Sequence, residues 1–424
     1  MKKILALVLA ALMVLSMVAC TTTETPSGNN GGNNGGNNGT PANKEFTIKV
    51  WTPTEDQAEG NSWLAAMEKR FEELHPEYTI TWDNSTMGEG DAGNAVIADV
   101  TASADVFMFA NDQLGKLIQA GGLSKLVGDF AAQVKADNGD FMINTVTHTD
   151  DAVYGFPVTN NTWFLYYNTD VFSAEDVKSL DTMLTKGKVY LPFGTGWTAG
   201  CIFLGTGCSL FGDTGRDASV GMDFAGQKGY TAAKKMIELV NNSNVMTGGM
   251  DVSVLKNGEV GATFSGSWDA AGLKEALGDK LGVAMLPKFT ADGTEYQMTA
   301  MSGSKCVGVN PNSNSVEGKQ LVCTEFAAFL ASEEAQLARY TMRGVIPAHK
   351  NLKTNEDVAA DPIAQAEIDT INNASVIQSA LPEMGNYWGP VETFGKNVIA
   401  KDVDLTNYEK AVDDLNNLLN NPGL

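Results

Sequence analysis

The sequence EFTIKVW at residues 45–51 begins the folded part of the chain. Its apolar residues alternate with polar ones, which is the period of a β-strand. In residues 63–74, WLAAMEKRFEEL, apolar residues instead recur every three or four positions, which predicts a helix that ends before Pro76. The hydrophobic period therefore changes from strand to helix within one short segment.

The same change of period continues along the next part of the chain. Tyr78–Trp82 alternates again and predicts a second strand. Residues 104–110, ADVFMFA, are almost all apolar, as expected of a strand covered on both faces, and Gln113–Ala120 predicts the following helix. These elements predict an open α/β sheet. Such sheets bind ligands beyond the carboxyl ends of their strands, here in the loops at 51–57 and 109–113.

A second, helix-rich α/β region is predicted to follow Tyr154. Its last element is predicted to be an amphipathic helix at 408–419, with Val412, Leu415 and Leu418 facing inward. The other predicted elements are helices at 228–241 and 268–277, a strand at 258–264 and a candidate ligand loop at 264–268.

The N-terminus has the pattern of an exported lipoprotein. Lys2 and Lys3 precede an apolar run that is shorter than the roughly 20 residues of a membrane span, which predicts a signal peptide at 1–19. The small residues before Cys20 resemble a bacterial lipobox, so Cys20 is predicted to carry a lipid anchor. Residues 20–44 are rich in Gly and Asn and lack large apolar side chains, which predicts a disordered tether.

The rest of the chain, residues 45–424, is long enough for two domains. The whole chain has 29 Lys and Arg against 51 Asp and Glu, a net charge of −22, which argues against nucleic acid or an anionic membrane surface as a partner. The cysteines and histidines match no zinc-ligand spacing, so neither a metal nor another cofactor is predicted. For Cys201 and Cys208 the sequence leaves two states open, a disulfide or free thiols.

Short diagnostic segments are spread through residues 46–420. They are IKVW at 48–51, RFE at 70–72, ADVFMFAND at 104–112, YGFP at 154–157, LYYN at 165–168, FSGSW at 264–268 and NYW at 386–388. In this order and at this spacing, behind a lipobox, they resemble the family of extracellular solute-binding proteins typified by the maltose- and maltodextrin-binding proteins.

The resemblance implies a two-lobed α/β fold like that of periplasmic binding proteins, in which each lobe is an open, mostly parallel sheet flanked by helices. An oligosaccharide would bind in the cleft at the hinge and would favour the closed state, because only there do both lobes contact it. The implied N-terminal lobe comprises 45–157 and 300–346, and the implied C-terminal lobe comprises 158–299 and 347–424.

The resemblance also implies which residues contact the sugar. Asp112 falls where the family has an aspartate that accepts hydrogen bonds from sugar hydroxyls, and Trp197, Trp268 and Trp388 fall on its aromatic platforms. The remaining implied contacts are Trp163, Tyr387, Asn161, Gln113, Glu55 and Asp56.

Three positions depart from the usual maltose binder. Asn161 replaces a glutamate that maltose binders usually carry, Gln113 replaces an arginine, and Thr195-Gly196 replaces an acidic residue. The pattern therefore favours an oligosaccharide, with an α-glucan such as maltodextrin as the leading ligand.

The residue types suit a sugar, because indole rings cover its apolar C–H faces and carboxylates accept strong hydrogen bonds from its hydroxyls. Each assignment also has a structural interpretation. A tryptophan is more often part of a core, and Asp112 could instead cap the helix predicted at Gln113. Glu55 and Asp56 could belong to a solvated loop.

The predicted function is capture of an oligosaccharide by a non-catalytic, monomeric lipoprotein on the outer face of a Gram-positive cell membrane. Its partners would be the permease subunits of an ABC transporter, and the lipid would be its only membrane attachment. The rival is a secreted glycoside hydrolase or lyase, which also needs aromatic residues and two carboxyl groups about 5 to 10 Å apart. A polyamine suits several tryptophans with little charge less well than a sugar does.

Overall fold

The computed structural model describes residues 44–212 and 214–421. The predicted signal peptide, Cys20 and the tether before Lys44 lie outside the described residues. The described chain is an α/β protein with two main sheets. Its strands are β1 (Glu45–Thr52), β2 (Thr79–Thr86), β3 (Val106–Ala110), β4 (Phe156–Asn161), β5 (Phe164–Asn168), β6 (Val189–Leu191), β7 (Ser209–Leu210), β8 (Met222–Asp223), β9 (Val245–Thr247), β10 (Ala262–Ser265), β11 (Leu281–Ala284), β12 (Lys288–Ala291), β13 (Thr294–Gln297), β14 (Ala300–Val309) and β15 (Ser375–Ile377).

Helices cover the faces of both sheets, and several are short. They are α1 (Trp63–Leu74), α2 (Glu89–Ala98), α3 (Leu114–Gln119), α4 (Gly128–Asp137), α5 (Asp140–Thr145), α6 (Leu180–Lys186), α7 (Gly196–Ala199), α8 (Cys201–Gly205), α9 (Gly226–Val240), α10 (Ser253–Lys256), α11 (Ala270–Leu277), α12 (Lys319–Leu330), α13 (Glu333–Arg343), α14 (Glu356–Ala360), α15 (Pro362–Asn373), α16 (Gly385–Ala400) and α17 (Tyr408–Asn420).

The first sheet has the order β15-β14-β3-β1-β2, and β4 also pairs with β14. Strands β1, β2 and β3 are parallel, whereas β14 runs antiparallel to β3 and β4. Strand β15 lies in the segment predicted for the C-terminal lobe, yet it pairs in parallel with β14 of the first sheet. The predicted lobe limits therefore do not describe the segment 375–377.

The second sheet has the order β11-β5-β10-β6-β9. Strands β10, β6 and β9 are parallel, and β5 is antiparallel to both of its neighbours, β10 and β11. The two-lobed α/β prediction is confirmed by this pair of mixed, mostly parallel sheets.

Each sheet has its own hydrophobic core. The core of the first contains Ile48, Val106 and, from α12, Phe326. The core of the second contains Phe264 and, from α16, Phe394. Most of each core is therefore built from the strands and helices of its own sheet, although Ala300 and Met301 of β14 also belong to the second core.

Predictions of single elements were accurate where one hydrophobic pattern continued over several helical turns. Helix α1 has the predicted limits, and Ser62 caps it by accepting a hydrogen bond from the Ala65 amide. Helix α17 also forms where expected, but Leu418 is 43% exposed and Leu419 is buried in its place. The prediction for Leu418 was wrong because Val412, Leu415 and Leu419 share one face of a helix of 3.6 residues per turn.

The chemistry of the cysteines is decided by burial. Cys201 and Cys208 are both free and buried, and burial raises the pKa of each thiol to about 12. Among the described residues, no group of His, Cys, Asp and Glu side chains is arranged to hold a metal ion. Within that same part of the chain, no helix combines the length and apolarity needed to cross a membrane.

Candidate functional site

Three tryptophans that are distant in sequence meet at a groove of about 460 Å³. Trp197 comes from α7, Trp388 from α16, and Trp268 from a single 3-10 turn between β10 and α11. The rings of Trp197 and Trp268 are stacked, with centroids 5.9 Å apart and planes inclined by 27°. Trp268 is 49% exposed, so a large apolar ring face is open to a ligand.

Two glycines allow these tryptophans to lie where they do. A Cβ atom at Gly266 would overlap the indole ring of Trp268, so only glycine lets that ring fold back over the end of β10. A Cβ atom at Gly196 would collide with the backbone of Trp388, so α7 can approach α16 closely only with glycine there. The aromatic wall of the groove therefore depends on two residues without side chains.

Asp112 also lines the groove, in a 3-10 turn that follows β3. Its side chain makes no capping hydrogen bond to this turn or to α3, so the capping interpretation is wrong. Burial raises the pKa of Asp112 to about 6, although its own backbone amide and Lys116 act in the opposite direction. A carboxylate with few protein partners is thus available to accept hydrogen bonds inside the groove.

Gln113 and Asn161 also line the groove, but they differ in what their amides do. Gln113 accepts a hydrogen bond of 2.6 Å from the Gly93 amide and donates to the carbonyls of Glu89 and Gly90. Its polar atoms therefore fix α2 beside the groove. Asn161 ends β4 and is only partly buried.

Two groove residues with polar side chains were not predicted from the sequence. Lys305 of β14 lies 5.7 Å from the ring centroid of Trp268 and 3.5 Å from the Glu89 carboxylate. Gln378, just after β15, is buried, and its side-chain oxygen has no hydrogen-bond partner. A lysine as the single charged residue of the buried strand β14 was a usable signal, whereas nothing in the local sequence pointed to Gln378.

Trp163 and Tyr387, which the resemblance implies as sugar contacts, do not line the groove in this structure. Each has a relative exposure of 0%. Trp163 packs edge-on against Phe264, and Tyr387 packs edge-on against Phe224 and Trp388. Their role in this structure is to support the groove from behind, because a fully buried ring presents no surface to a sugar.

Glu55 and Asp56 lie apart from the groove, in a neighbouring cavity of about 470 Å³. Asp56 is only 1% exposed and forms a two-pronged ion pair with Arg339, with distances of 2.6 and 3.1 Å. Glu55 is exposed at the side of this cavity. The solvated-loop interpretation is therefore wrong for Asp56, and the predicted single site is divided between two cavities.

Comparison with known proteins identifies the family. Residues 66–366 match the model of the bacterial extracellular solute-binding proteins. The chain belongs to this family. Its members bind solutes and are not enzymes, so the hydrolase interpretation is set aside. They are extracellular, and the chain is therefore an extracellular solute-binding protein.

Several individual proteins are similar to this chain over most of its length. A structure solved with acarbose is 41% identical, spans 89% of this chain and 99% of that one, and gives a TM-score of 0.84. The maltooligosaccharide ABC transporter solute-binding lipoprotein of Streptococcus pneumoniae R6 is 25% identical over 314 residues, 68% of this chain and 70% of that protein. The galactooligosaccharide-binding protein of Bacillus subtilis 168 is 24% identical over 312 residues, with the same two shares.

Proposed function

We propose that this solute-binding protein captures an oligosaccharide and delivers it to the membrane subunits of an ABC importer, with malto-oligosaccharides as its ligand. The observation that carries the proposal is the groove that Trp197, Trp268 and Trp388 line together with Asp112. The rings cover apolar sugar faces, and the carboxylate accepts charge-assisted hydrogen bonds at the sugar's edge. No other common biological ligand pairs flat apolar faces with so many hydroxyl donors.

The choice among sugars rests on the relatives and on the groove. The pneumococcal relative is named for maltooligosaccharides and the structure at 41% identity was solved with acarbose, whereas the Bacillus relative is named for galactooligosaccharides. Asn161 and the engaged amide of Gln113 take the places of charged residues in maltose binders. We therefore expect α-glucan binding with fewer charged contacts than is usual.

The position of the groove between elements of both sheets supports capture of a sugar and its delivery to a permease. Asp112 and Lys305 belong to elements of the first sheet, and Trp197 and Trp268 belong to elements around the second. A sugar that touches both sets stabilises the arrangement in which they are close together, and a permease that recognises this arrangement selects the loaded protein. The lipid on Cys20 and the tether would keep the protein near that permease.

Titration calorimetry tests the proposal. The full-length chain, in a detergent without a sugar headgroup, would be titrated with maltose to maltoheptaose and with galacto-, cello- and xylo-oligosaccharides. We expect saturable binding of the malto series, weakened at least about tenfold in Trp268→Ala, because exposed tryptophans at binding sites commonly contribute 2 kcal/mol or more. Trp82→Ala, which removes a partly exposed tryptophan that does not line the groove, is the control.

Each outcome has a clear meaning. Binding of the galacto series alone would keep capture and change the sugar. Equal affinities in Trp268→Ala and the wild type would move the site away from the groove. Silence with every series would overturn oligosaccharide capture.

A further inference from the structure

Helix α15 connects the two sheets. It packs against β5 and β11 of the second sheet and against β15, which pairs with β14 of the first. It also contacts the 3-10 turn Ser267–Asp269, which carries Trp268 of the groove. A side chain on the buried face of α15 therefore lies where both halves of the protein meet.

Glu367 lies on this buried face and carries a carboxyl group without a partner. It is 1% exposed, and neither of its carboxyl oxygens has a hydrogen-bond partner. Burial raises the pKa of Glu367 from 4.5 to about 7, although Ser267 of the turn and Asn160 of β4 act in the opposite direction. An ionised carboxylate in this place has lost its water and gained no full replacement, which is costly.

The charged and titratable side chains on the elements around Glu367 have other partners. Lys305 carries the one positive charge among them and lies 3.5 Å from the Glu89 carboxylate. The hydroxyl of Tyr166 donates to the Gly266 carbonyl at 2.9 Å, and two aspartates accept hydrogen bonds from other hydroxyl groups. These side chains are Lys305 on β14, Tyr166 on β5, Asp269 on the turn and Asp361 at the start of α15.

Separation of the two sheets would relieve the buried charge. Asn160 and Lys305 belong to strands of the first sheet, whereas α15 and the turn pack on the second. Moving these sides apart would admit water to the carboxyl group of Glu367, and its pKa would return towards 4.5. The neutral acid is therefore favoured while the sides are close together, and the carboxylate is favoured when they are apart.

We propose that Glu367 is a positioning residue that makes sugar capture depend on pH. As a neutral acid it stays between Asn160 and the turn that carries Trp268, and as a carboxylate it favours the open arrangement. The inference rests on the proposed function, in which a sugar stabilises the arrangement that brings both sides of the groove together. By linkage, the sugar and a proton taken from solvent by Glu367 promote the binding of each other.

Titration calorimetry across the pH range tests the coupling. The wild-type full-length chain, in a detergent without a sugar headgroup, would be titrated with maltotriose and with a galacto-oligosaccharide of the same length. The titrations are repeated from pH 6.5 to pH 8.5 in buffers of different ionisation enthalpy, because the difference in heat counts the protons exchanged.

For the sugar that binds, we expect wild-type affinity to be about threefold higher at pH 6.5 than at pH 8.5, and uptake of about 0.3 proton per sugar at pH 7. Both values correspond to a pKa of Glu367 about one unit higher in the closed than in the open arrangement. Proton uptake distinguishes Glu367 from Asp112, because sugar hydroxyls favour the carboxylate of Asp112 and binding there releases protons.

Glu367→Gln is the informative variant, because an amide has nearly the shape of the neutral acid and cannot ionise. Its affinity should be nearly constant from pH 6.5 to pH 8.5, and its binding should take up no proton at pH 7. Asp369→Asn removes the same charge from an exposed position of α15 and should behave as the wild type. Far-UV circular dichroism would confirm that both variants are folded, and the proton uptake of the wild type needs no variant.

Other results overturn the proposal. Equal wild-type affinities at pH 6.5 and pH 8.5 without proton uptake would remove the coupling, while capture in the groove stands. The same conclusion follows if Glu367→Gln keeps the wild-type pH dependence, or if Asp369→Asn loses it to the same extent. A wild-type protein that binds neither sugar series at any pH would overturn both the coupling and the proposed function.

Discussion

Replacing Asp112 by Asn should make the protein more stable and, at the same time, a weaker binder. Burial raises the pKa of Asp112 from 3.8 to about 6, so the native state holds this proton more tightly than the unfolded chain does. Each pKa unit corresponds to about 1.36 kcal/mol. The ionised carboxylate therefore destabilises the native state by about 3 kcal/mol above pH 6, and this penalty disappears as the pH falls below 3.8.

Urea unfolding followed by far-UV circular dichroism measures this effect. At pH 8, Asp112→Asn should raise the free energy of unfolding by up to about 3 kcal/mol, and at pH 4 the gain should shrink to below about 1 kcal/mol. Asp83→Asn removes an equal charge from an exposed carboxylate and is the control. It should change stability by no more than about 0.5 kcal/mol, although the chain is strongly acidic.

Calorimetry of the same variant links stability to function. At pH 8 the amide should bind oligosaccharide about tenfold more weakly, because hydrogen bonds to a charged group contribute more than those to a neutral one. Wild-type affinity should fall as the pH decreases through about 6, while the affinity of Asp112→Asn shows no such fall. The reasoning is refuted if the variant gains no stability at pH 8, or if its gain is the same at pH 4.

Two further predictions concern buried groups away from the groove. Arg339→Ala should lower the free energy of unfolding by about 3 to 5 kcal/mol in urea, because it leaves the carboxylate of Asp56 buried without its main partner, and a loss below 1 kcal/mol would contradict this ion pair. Cys201 and Cys208 should react with an alkylating thiol reagent at pH 8 only in urea and without prior reduction, as shown by peptide mass spectrometry, and a mass corresponding to a linked peptide pair would contradict the free thiols.

The sequence was most informative where one period extended over several turns. The limits of α1 follow from its apolar spacing, from the cap at Ser62 and from the proline that follows it. In helix α17 the apolar spacing does not decide which residue is buried, because Leu418 and Leu419 are adjacent and both apolar. Only the rotation of the helix against the second core decided that Leu419 is buried.

The candidate site was predicted in part. Trp197, Trp268 and Trp388 were assigned to the site by the family resemblance, and the structure brings all three to one groove. Trp163 and Tyr387 were assigned in the same way but are buried, because an aromatic residue beside a site and one facing it have similar neighbours in the sequence. Their burial is a property of packing, which local patterns do not record.

By itself the sequence determined the secondary-structure periods, the α/β class and the turn that carries Trp268, because these depend on residues close together in the chain. The tertiary structure alone decided that Asp56 pairs with Arg339, which is 283 positions away, and that a second cavity lies beyond Trp268. Strand order and helix packing bring such distant side chains together, and local sequence patterns do not record either.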